Sequence, residues 1–221
     1  MKKQGRIPSA WGETPTRFYR FLRRISSGMA DLKGRTKFDL CVIGCADGKF
    51  VLPAARQGMR VLAIEIDPIS LFGGKKPWID GNVHVPGLVK RLEAERLSEY
   101  VEVKCSDYMS LEPIECGAVW TSGAIQYSLN SRYTADELMM GVVNHTAMGG
   151  HLYVDYMLPF EEKYIGRKNC PSREWWDVWA EGLDGWEKLY NRVLPPVLDR
   201  AHVEYPVDHY HQWGHLLMRR D

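Results

Sequence analysis

The sequence lacks any apolar run near the ~20 residues that a membrane-spanning helix requires, and its first residues lack the apolar centre of a secretory signal peptide. It also has no internal repeat and no low-complexity stretch. Hydrophobic residues make up 45% and charged residues 26% of the 221-residue chain, which is ordinary for one globular domain. We therefore expect a single-domain, cytoplasmic protein with no membrane partner, whose oligomeric state the sequence leaves open.

Cysteine is scarce and shows no pattern. The chain has five cysteines, an odd number, and no two of them form a Cys-x-x-Cys pair. A structural zinc site needs clustered ligands of that kind, so we predict no metal site from the cysteines. In a reducing compartment the five thiols are expected to be free and buried.

Positive charge is concentrated at the start of the chain, although the formal net charge is only +1. Residues 1–37 contain ten Lys or Arg residues but only two acids, Glu13 and Asp31. Such a segment can bind nucleic acid or an anionic substrate. Its apolar residues recur at helical spacing, which instead favours an amphipathic helix with a solvated basic face. Thr14-Pro15 is typical of the start of that helix, with Thr14 as the N-cap.

The most informative stretch runs from Phe38 to Asp67. Two apolar runs, typical of buried strands, are separated by the small-residue turn 44–48 and a segment compatible with a helix. A turn without large side chains lets backbone N–H groups approach a ligand, and the N-terminus of the following helix favours negative charge. The second run ends in Glu65, whose carboxylate is placed to accept hydrogen bonds from ribose hydroxyls. This order predicts half of a nucleotide-binding crevice.

The spacing Gly44-x-Ala46-x-Gly48 resembles motif I of the class I S-adenosylmethionine-dependent methyltransferases, in which glycines alternate. Two positions depart from that motif. Val42 stands where the family usually has an acid, and Ala46 replaces the middle glycine, which we expect the turn to accept if φ stays negative there. A dinucleotide fingerprint fits less well, because Ala46 and Lys49 occupy two of its three glycine positions.

Later segments resemble the same family in the expected order. Asp107 follows the third apolar run, Ser122-Gly123 follows the fourth, and Gly149-Gly150 precedes the fifth. The resemblance implies an α/β fold: a Rossmann-like, seven-stranded, mostly parallel sheet with an antiparallel last strand and helices on both faces. Four parts are expected: an N-terminal helical cover (1–35), a cofactor-binding core (36–158), a substrate-cover insert (159–200) and a terminal β-hairpin (201–221). Residues 69–84 are predicted to form a long loop and 85–99 a helix.

The resemblance implies S-adenosylmethionine as the cofactor. Asp107 would accept a hydrogen bond from the adenine amino group, and Tyr108 or its backbone would flank the ring. The residues expected to bind the cofactor come from the loops after the first four strands: Gly44, Cys45, Ala46, Gly48, Glu65, Ile66, Ser106, Asp107, Tyr108, Ser122 and Gly123.

The substrate is expected beside the N-terminal cover, the segment after the fourth strand and the tryptophan-rich insert. The residues expected to bind it are Trp11, Tyr19, Gln126, Tyr156, Trp175 and Trp179. Trp175, Trp179 and Trp186 also have the spacing of a helical stripe that faces the core. The candidate catalytic residues are His209, His211 and Tyr127. The same histidines also fit plain surface positions, and with His215 their alternation permits a metal site.

We therefore predict an enzyme that transfers a methyl group to an O, N or S atom of a small aromatic or heterocyclic metabolite, without a nucleic-acid partner. Three alternatives stay open. An RNA methyltransferase would use the basic N-terminal segment. A nicotinamide-dependent oxidoreductase and a non-catalytic binding module are the other two functions that the same fold permits.

Overall fold

A computed structural model describes residues 6–28, 32, 34–78, 81–125, 132–161, 170–199 and 208–221. Six helices are described: α1 (Thr16–Gly28), α2 (Val51–Ala55), α3 (Pro68–Phe72), α4 (Leu88–Glu95), α5 (Ala135–Val143) and α6 (Arg173–Glu181). The ten described strands are β1 (Leu40–Ile43), β2 (Val61–Glu65), β3 (Gly74–Trp78), β4 (Gly81–Val85), β5 (Val101–Cys105), β6 (Cys116–Ser122), β7 (Thr146–Leu158), β8 (Trp186–Val193), β9 (Val197–Asp199) and β10 (His209–Arg220). Within these ranges no helix is both long and apolar enough to cross a membrane.

The main sheet has eight strands. Its central order is β5-β2-β1-β6-β7, with every neighbouring pair parallel. The last strand, β10, runs antiparallel between β7 and β8, and β9 pairs with the first residues of β10. The predicted mostly parallel sheet with an antiparallel last strand is therefore confirmed, with β9 as one strand more than the expected seven.

The helices lie on both faces of this sheet because each presents one apolar side. On α1 the buried residues recur at helical spacing, as the sequence predicts: they are Phe18, Phe21, Leu22 and Ile25. They pack with α2 and α4 in one core cluster, whereas α5 and α6 pack in a second cluster. Trp120 stacks on Tyr153 at 3.9 Å in the first cluster, and Tyr156 stacks on Trp176 at 4.1 Å in the second.

Several local predictions are wrong. Residues 69–84 are not a loop, since α3 and the hairpin β3–β4 occupy most of them. The Thr14 hydroxyl does not cap α1 but donates to the Lys49 carbonyl at 2.7 Å. Trp186 opens strand β8, so the helical tryptophan spacing stops at Trp179. Four cysteines are buried as expected, but the side chain of Cys105 is exposed.

Candidate functional site

Four of the loops that the sequence singles out meet at one edge of the sheet. Strands β5, β2, β1 and β6 are parallel neighbours, so their carboxyl ends lie side by side. The turn 44–48, Glu65, the residues 106–108 and the pair Ser122-Gly123 directly follow these ends. In open α/β sheets a ligand crevice forms at this edge, where the direction of connection reverses.

The turn after β1 has a backbone that glycine favours. Gly44 has φ +69° and Gly48 has φ +92°. A Cβ atom on Gly44 would lie 2.8 Å from Cβ of Ala124, and one on Gly48 would lie 2.5 Å from a methyl carbon of Leu88. The turn therefore runs close to the loop after β6 on one side and to α4 on the other.

The expectation for Ala46 was wrong, because its φ is +47° and not negative. The left-handed region costs a non-glycine residue roughly 1–2 kcal/mol, so this turn is strained where the motif usually has glycine. The Ala46 N–H donates to Oε2 of Glu65 at 2.8 Å, which holds the strained residue in place.

Glu65 ties the two neighbouring loops together. Besides Ala46, its carboxylate accepts the N–H groups of Ile66 and Asp67, both at 3.0 Å to Oε1. These three bonds fix the carboxylate at the end of β2 and use both acceptor positions of Oε1, whereas Oε2 retains one acceptor position for a ligand hydroxyl. The next side chain, Ile66, is 65% exposed and offers an apolar surface beside the carboxylate.

Asp107 has the position that the sequence predicts and also caps a short turn. Its Oδ1 accepts the N–H of Met109 at 3.0 Å, and within the described ranges its Oδ2 has no hydrogen-bond donor. The hydroxyl groups of Ser106 and Ser110 form a hydrogen bond of 3.2 Å. Tyr108 is buried, and its hydroxyl donates to the carbonyl of Leu138, so only its backbone is available to flank a ligand.

Cys45 likewise contributes its backbone alone to the turn. The thiol is buried in the first core cluster, and burial raises its pKa well above the usual value. The burial of this thiol agrees with the expectation that the cysteines are buried.

A buried carboxylate that sequence reasoning missed lies beside Ser122. Asp155, on β7, accepts the Ser122 hydroxyl at 2.7 Å and the Arg17 guanidinium at 2.8 Å, both on Oδ2. His215, on the adjacent β10, approaches its other oxygen at 3.3 Å. Burial lowers the pKa of His215. The cluster joins α1 to the sheet. In the sequence, the one feature that could have predicted it is an Asp inside a strand that is otherwise apolar.

The N-terminal segment (residues 6–15) is bound to the outer side of the turn through Asp47. This carboxylate is fully buried and accepts the Ser9 hydroxyl at 2.6 Å and the Ala10 N–H at 2.7 Å. Arg91, also buried, lies 3.2 Å from it. Lys49 donates to the Trp11 carbonyl at 2.8 Å, and burial lowers the pKa of Lys49.

Of the two predicted cover residues, Trp11 is the one in contact with other elements. Its ring lies 5.2 Å from Nζ of Lys76 on β3, and it lines a cavity of about 150 Å³ with Val83 and Val85 of β4. Tyr19 is 40% exposed on α1. The N-terminal segment and the hairpin β3–β4 thus meet next to the end of β2.

The predicted aromatic substrate residues separate into two groups. Tyr156 is buried, its hydroxyl donates to Asn191 at 2.6 Å, and burial raises its pKa to about 12. Trp175 and Trp179 stack at 6.0 Å and are half-buried, whereas Trp176 between them is fully buried. The core tryptophan of α6 is therefore Trp176, which the sequence analysis passed over.

His209 and His211 form a buried pair, not surface positions. Their Nε2 atoms lie 3.0 Å apart at the start of β10. Because β10 is antiparallel to β7, this start lies at the same edge as the carboxyl ends of the parallel strands. One ring must donate and the other accept, so the accepting Nε2 carries no proton. Gln126 and Tyr127 lie outside the described residues.

The fold is similar to that of solved methyltransferases, at low sequence identity. Magnesium protoporphyrin IX methyltransferase from Synechocystis, solved with bound S-adenosylmethionine, has a TM-score of 0.57 and 11% identity, over 93% of this chain and 80% of that one. Geranyl diphosphate C-methyltransferase from Streptomyces coelicolor, solved with S-adenosylhomocysteine, has a TM-score of 0.58 and 11% identity, over 82% and 70%.

TehB from Haemophilus influenzae has a TM-score of 0.59 and 13% identity over 88% of this chain, which spans only 62% of the TehB chain. No family model matches the sequence, and neither does any curated protein. The chain therefore has the class I S-adenosylmethionine-dependent methyltransferase fold, and the comparisons show no more than that fold.

Proposed function

We propose that this chain is an S-adenosylmethionine-dependent methyltransferase that acts on a small aromatic or heterocyclic acceptor. The observation that carries the proposal is the Glu65 carboxylate, fixed by three backbone N–H groups beside a turn with glycine backbone angles. It stands at the carboxyl edge of a sheet whose fold is shared with enzymes solved with S-adenosylmethionine or S-adenosylhomocysteine.

The chemistry of the crevice fits this cofactor. Oε2 of Glu65 offers an acceptor for a ribose hydroxyl, and Oδ2 of Asp107 offers one for an exocyclic amine. Ile66 supplies an exposed apolar surface for the base. A side chain on Gly44 would narrow the space between the loops after β1 and β6. Arg17 and Lys49 bring positive charge that an amino-acid carboxylate requires.

When bound, S-adenosylmethionine supplies an electrophilic methyl group, and transfer needs an acceptor atom in line with it. The work of the chain is then to orient the acceptor, exclude water and, for an acceptor that must lose a proton, receive that proton. The His209–His211 pair suits the last role, because a neutral pair can take up one proton and share the gained charge through its Nε2–Nε2 hydrogen bond.

The stacked rings of Trp175 and Trp179 favour a planar acceptor. They lie partly exposed on α6, where an aromatic surface can bind an aromatic or cationic group. Among the neighbours in fold, one acts on magnesium protoporphyrin IX, a planar molecule, and another on geranyl diphosphate. Both are small molecules, which accords with the proposed acceptor class.

The RNA alternative draws less support from the charges of the N-terminal part. Arg17 points inward to Asp155, and Lys37 pairs with Glu102 at 2.7 Å, so these two cations do not extend a continuous basic surface. The nicotinamide alternative is opposed by Lys49, whose side chain stands where a third glycine would be needed.

Calorimetric titration tests the cofactor. We expect micromolar S-adenosylmethionine binding by the wild type and binding weaker by roughly 30-fold in Glu65→Gln, since a charge-assisted hydrogen bond is lost. The matched control is Glu102→Gln on the neighbouring strand β5, whose carboxylate binds only surface lysines and should leave affinity unchanged. Binding of NADPH but not of S-adenosylmethionine would contradict the proposal.

The acceptor class is tested by methyl transfer from labelled S-adenosylmethionine to a panel of phenols, indoles, porphyrins and total RNA. Turnover of one or more planar small molecules is expected, and it should fall in the double variant Trp175→Ala/Trp179→Ala with the cofactor Kd unchanged. Activity confined to RNA would contradict the small-molecule assignment.

A further inference from the structure

We propose that the opposite edge of the sheet carries a second binding site, for an organic phosphate with an apolar group. A cavity of about 700 Å³ lies there, and its lining includes four arginines, Arg24, Arg35, Arg219 and Arg220. The inference is independent of the proposed methyltransferase activity, because none of these residues belongs to the crevice at the carboxyl edge.

Three elements bring the arginines together at the amino edge of the parallel strands. Arg24 lies in the last two turns of α1, Arg35 precedes β1, and Arg219 and Arg220 end β10. Because β10 is antiparallel to β7, its last residues lie beside the first residues of β7. The cavity is thus set by the tertiary fold, and residues far apart in the sequence contribute its charge.

The positive charge at this cavity exceeds the negative charge around it. Arg219 pairs with Glu187 at 3.1 Å and approaches Asp221 at 3.6 Å, whereas Arg220 donates to the carbonyl of Thr146. Within the part of the chain that the structure describes, the guanidinium groups of Arg24 and Arg35 have no ion pair and no hydrogen bond. The carbonyl end of α1 adds only about half an elementary negative charge.

The pKa of His151 is also affected by the positive charge at this cavity. This pKa is lowered, first by burial and then by the charges of Arg24 and Arg219. The smaller part of this lowering, which Arg24 and Arg219 cause, indicates positive potential that would attract an anion. Planar guanidinium groups match the geometry of phosphate oxygens and can bind them in pairs.

The cavity also has an apolar part. Leu32 and Met148 line it with the ring of His151. Its volume lies within the roughly 300–1,000 Å³ of small-molecule sites and far exceeds that of an inorganic ion. A phosphate ester with an apolar or planar group would use both the arginines and this wall, which is why we infer an organic phosphate.

An extended nucleic acid fits these observations less well. It would need cations along a continuous surface, and the concave arrangement concentrates them in one place. Arg20 and Arg23 make the distinction testable, since both are exposed on α1 and neither lines the cavity. Replacing both of them removes the same amount of charge as replacing Arg24 and Arg35, so this double variant serves as the control.

The experiment is calorimetric titration of the full chain with phenyl phosphate, with phenol as the uncharged control, and with a uridylate 12-mer. Phenyl phosphate is expected to bind with a Kd below about 1 mM at low salt, and phenol not to bind. Arg24→Gln/Arg35→Gln should weaken phenyl phosphate binding by at least about tenfold, since two charged donors are removed. Arg20→Gln/Arg23→Gln should weaken it by less than about threefold, because these side chains do not line the cavity and donate no hydrogen bond to the phosphate.

Equal losses in the two double variants would overturn the proposal, because the charge effect would then be general and not local. Phenol binding as tightly as phenyl phosphate would overturn the phosphate requirement. Tighter binding of the uridylate 12-mer, weakened in both double variants, would assign the surface to RNA instead. All the replaced arginines are exposed, and circular dichroism and thermal unfolding of each variant identify any loss of fold.

Discussion

The two ends of strand β1 carry aspartates in contrasting environments. Asp47, just after the carboxyl end, is fully buried and bound by Arg91 and the N-terminal segment. Asp39, just before the amino end, is partly exposed and accepts the N–H of Arg60 at 2.7 Å. Asp47 thus fixes a turn at one edge of the sheet, whereas Asp39 lies near the surface at the other edge.

The contrast extends across both edges. At the carboxyl edge, Glu65 and Asp107 are held by backbone N–H groups, and Asp155 is held by the Arg17 guanidinium. At the amino edge, Arg24 and Arg35 lie exposed around an open cavity. A site with fixed acceptors suits one ligand in one geometry, whereas exposed cations lose side-chain entropy when a bound anion orders them.

The largest expected loss in the free energy of unfolding comes from Asp47→Asn. It leaves the buried Arg91 without its carboxylate, and breaking a buried pair in this way costs about 3–5 kcal/mol in the free energy of unfolding. Asp39→Asn, the control at the other end of β1, should cost at most about 1 kcal/mol because its pair with Arg60 is half exposed. Urea denaturation measures both, and equal losses would remove the distinction between the two edges.

A smaller loss in the free energy of unfolding is expected from Gly44→Ala. The matched control is Gly34→Ala. Both glycines have positive φ, +69° and +85°, so both variants lose about 1–2 kcal/mol to backbone strain. Only at Gly44 would the new Cβ meet another atom, 2.8 Å away on Ala124, which adds roughly 1–3 kcal/mol. Thermal unfolding gives the difference, and S-adenosylmethionine titration should show weaker binding in Gly44→Ala alone.

The smallest expected effect is a pH dependence of stability caused by His145, which lies at the amino edge. His145 is buried, its Nδ1 accepts the N–H of Ile114 at 3.1 Å, and burial lowers its pKa. The unfolded chain then binds this proton at higher pH than the folded chain, so stability rises with pH up to the ordinary value of about 6.5. Acidification below that value should destabilise the protein as the folded pKa is approached.

His145→Gln keeps an acceptor but cannot titrate, so the pH dependence of the melting temperature should flatten between about pH 7 and pH 5. His151 and His215 also have pKa values lowered by burial and will preserve part of the slope. An unchanged slope in His145→Gln would show that this ring does not contribute.

The sequence predicted the sheet and the crevice edge because both depend on local patterns. Apolar runs identify buried strands, and the small-residue turn with Glu65 after the second run identifies the ligand edge. The hairpin β3–β4 was missed because Gly73-Gly74 and the residues around Asp80 have the composition of a loop. Hydrogen bonding between two short strands gives no distinct pattern when their residues are mostly polar and exposed.

Side-chain direction was also beyond local patterns. Tyr108 holds the predicted position in the chain, yet its side chain points into the core. Trp176 is buried between two tryptophans that are not, although all three are chemically alike. Which face of a turn or helix is covered depends on the elements packed against it.

The sequence by itself determined the α/β class, the mostly parallel sheet and the edge at which the glycine turn, Glu65 and Asp107 stand, because strand order along the chain fixes where carboxyl ends meet. Only the tertiary structure decided that Asp155 receives Arg17 and Ser122, that His209 faces His211, and that four distant arginines surround one cavity. All of these except the His209–His211 contact join residues far apart in the chain, and they form only when helices and the antiparallel strand β10 pack against the sheet.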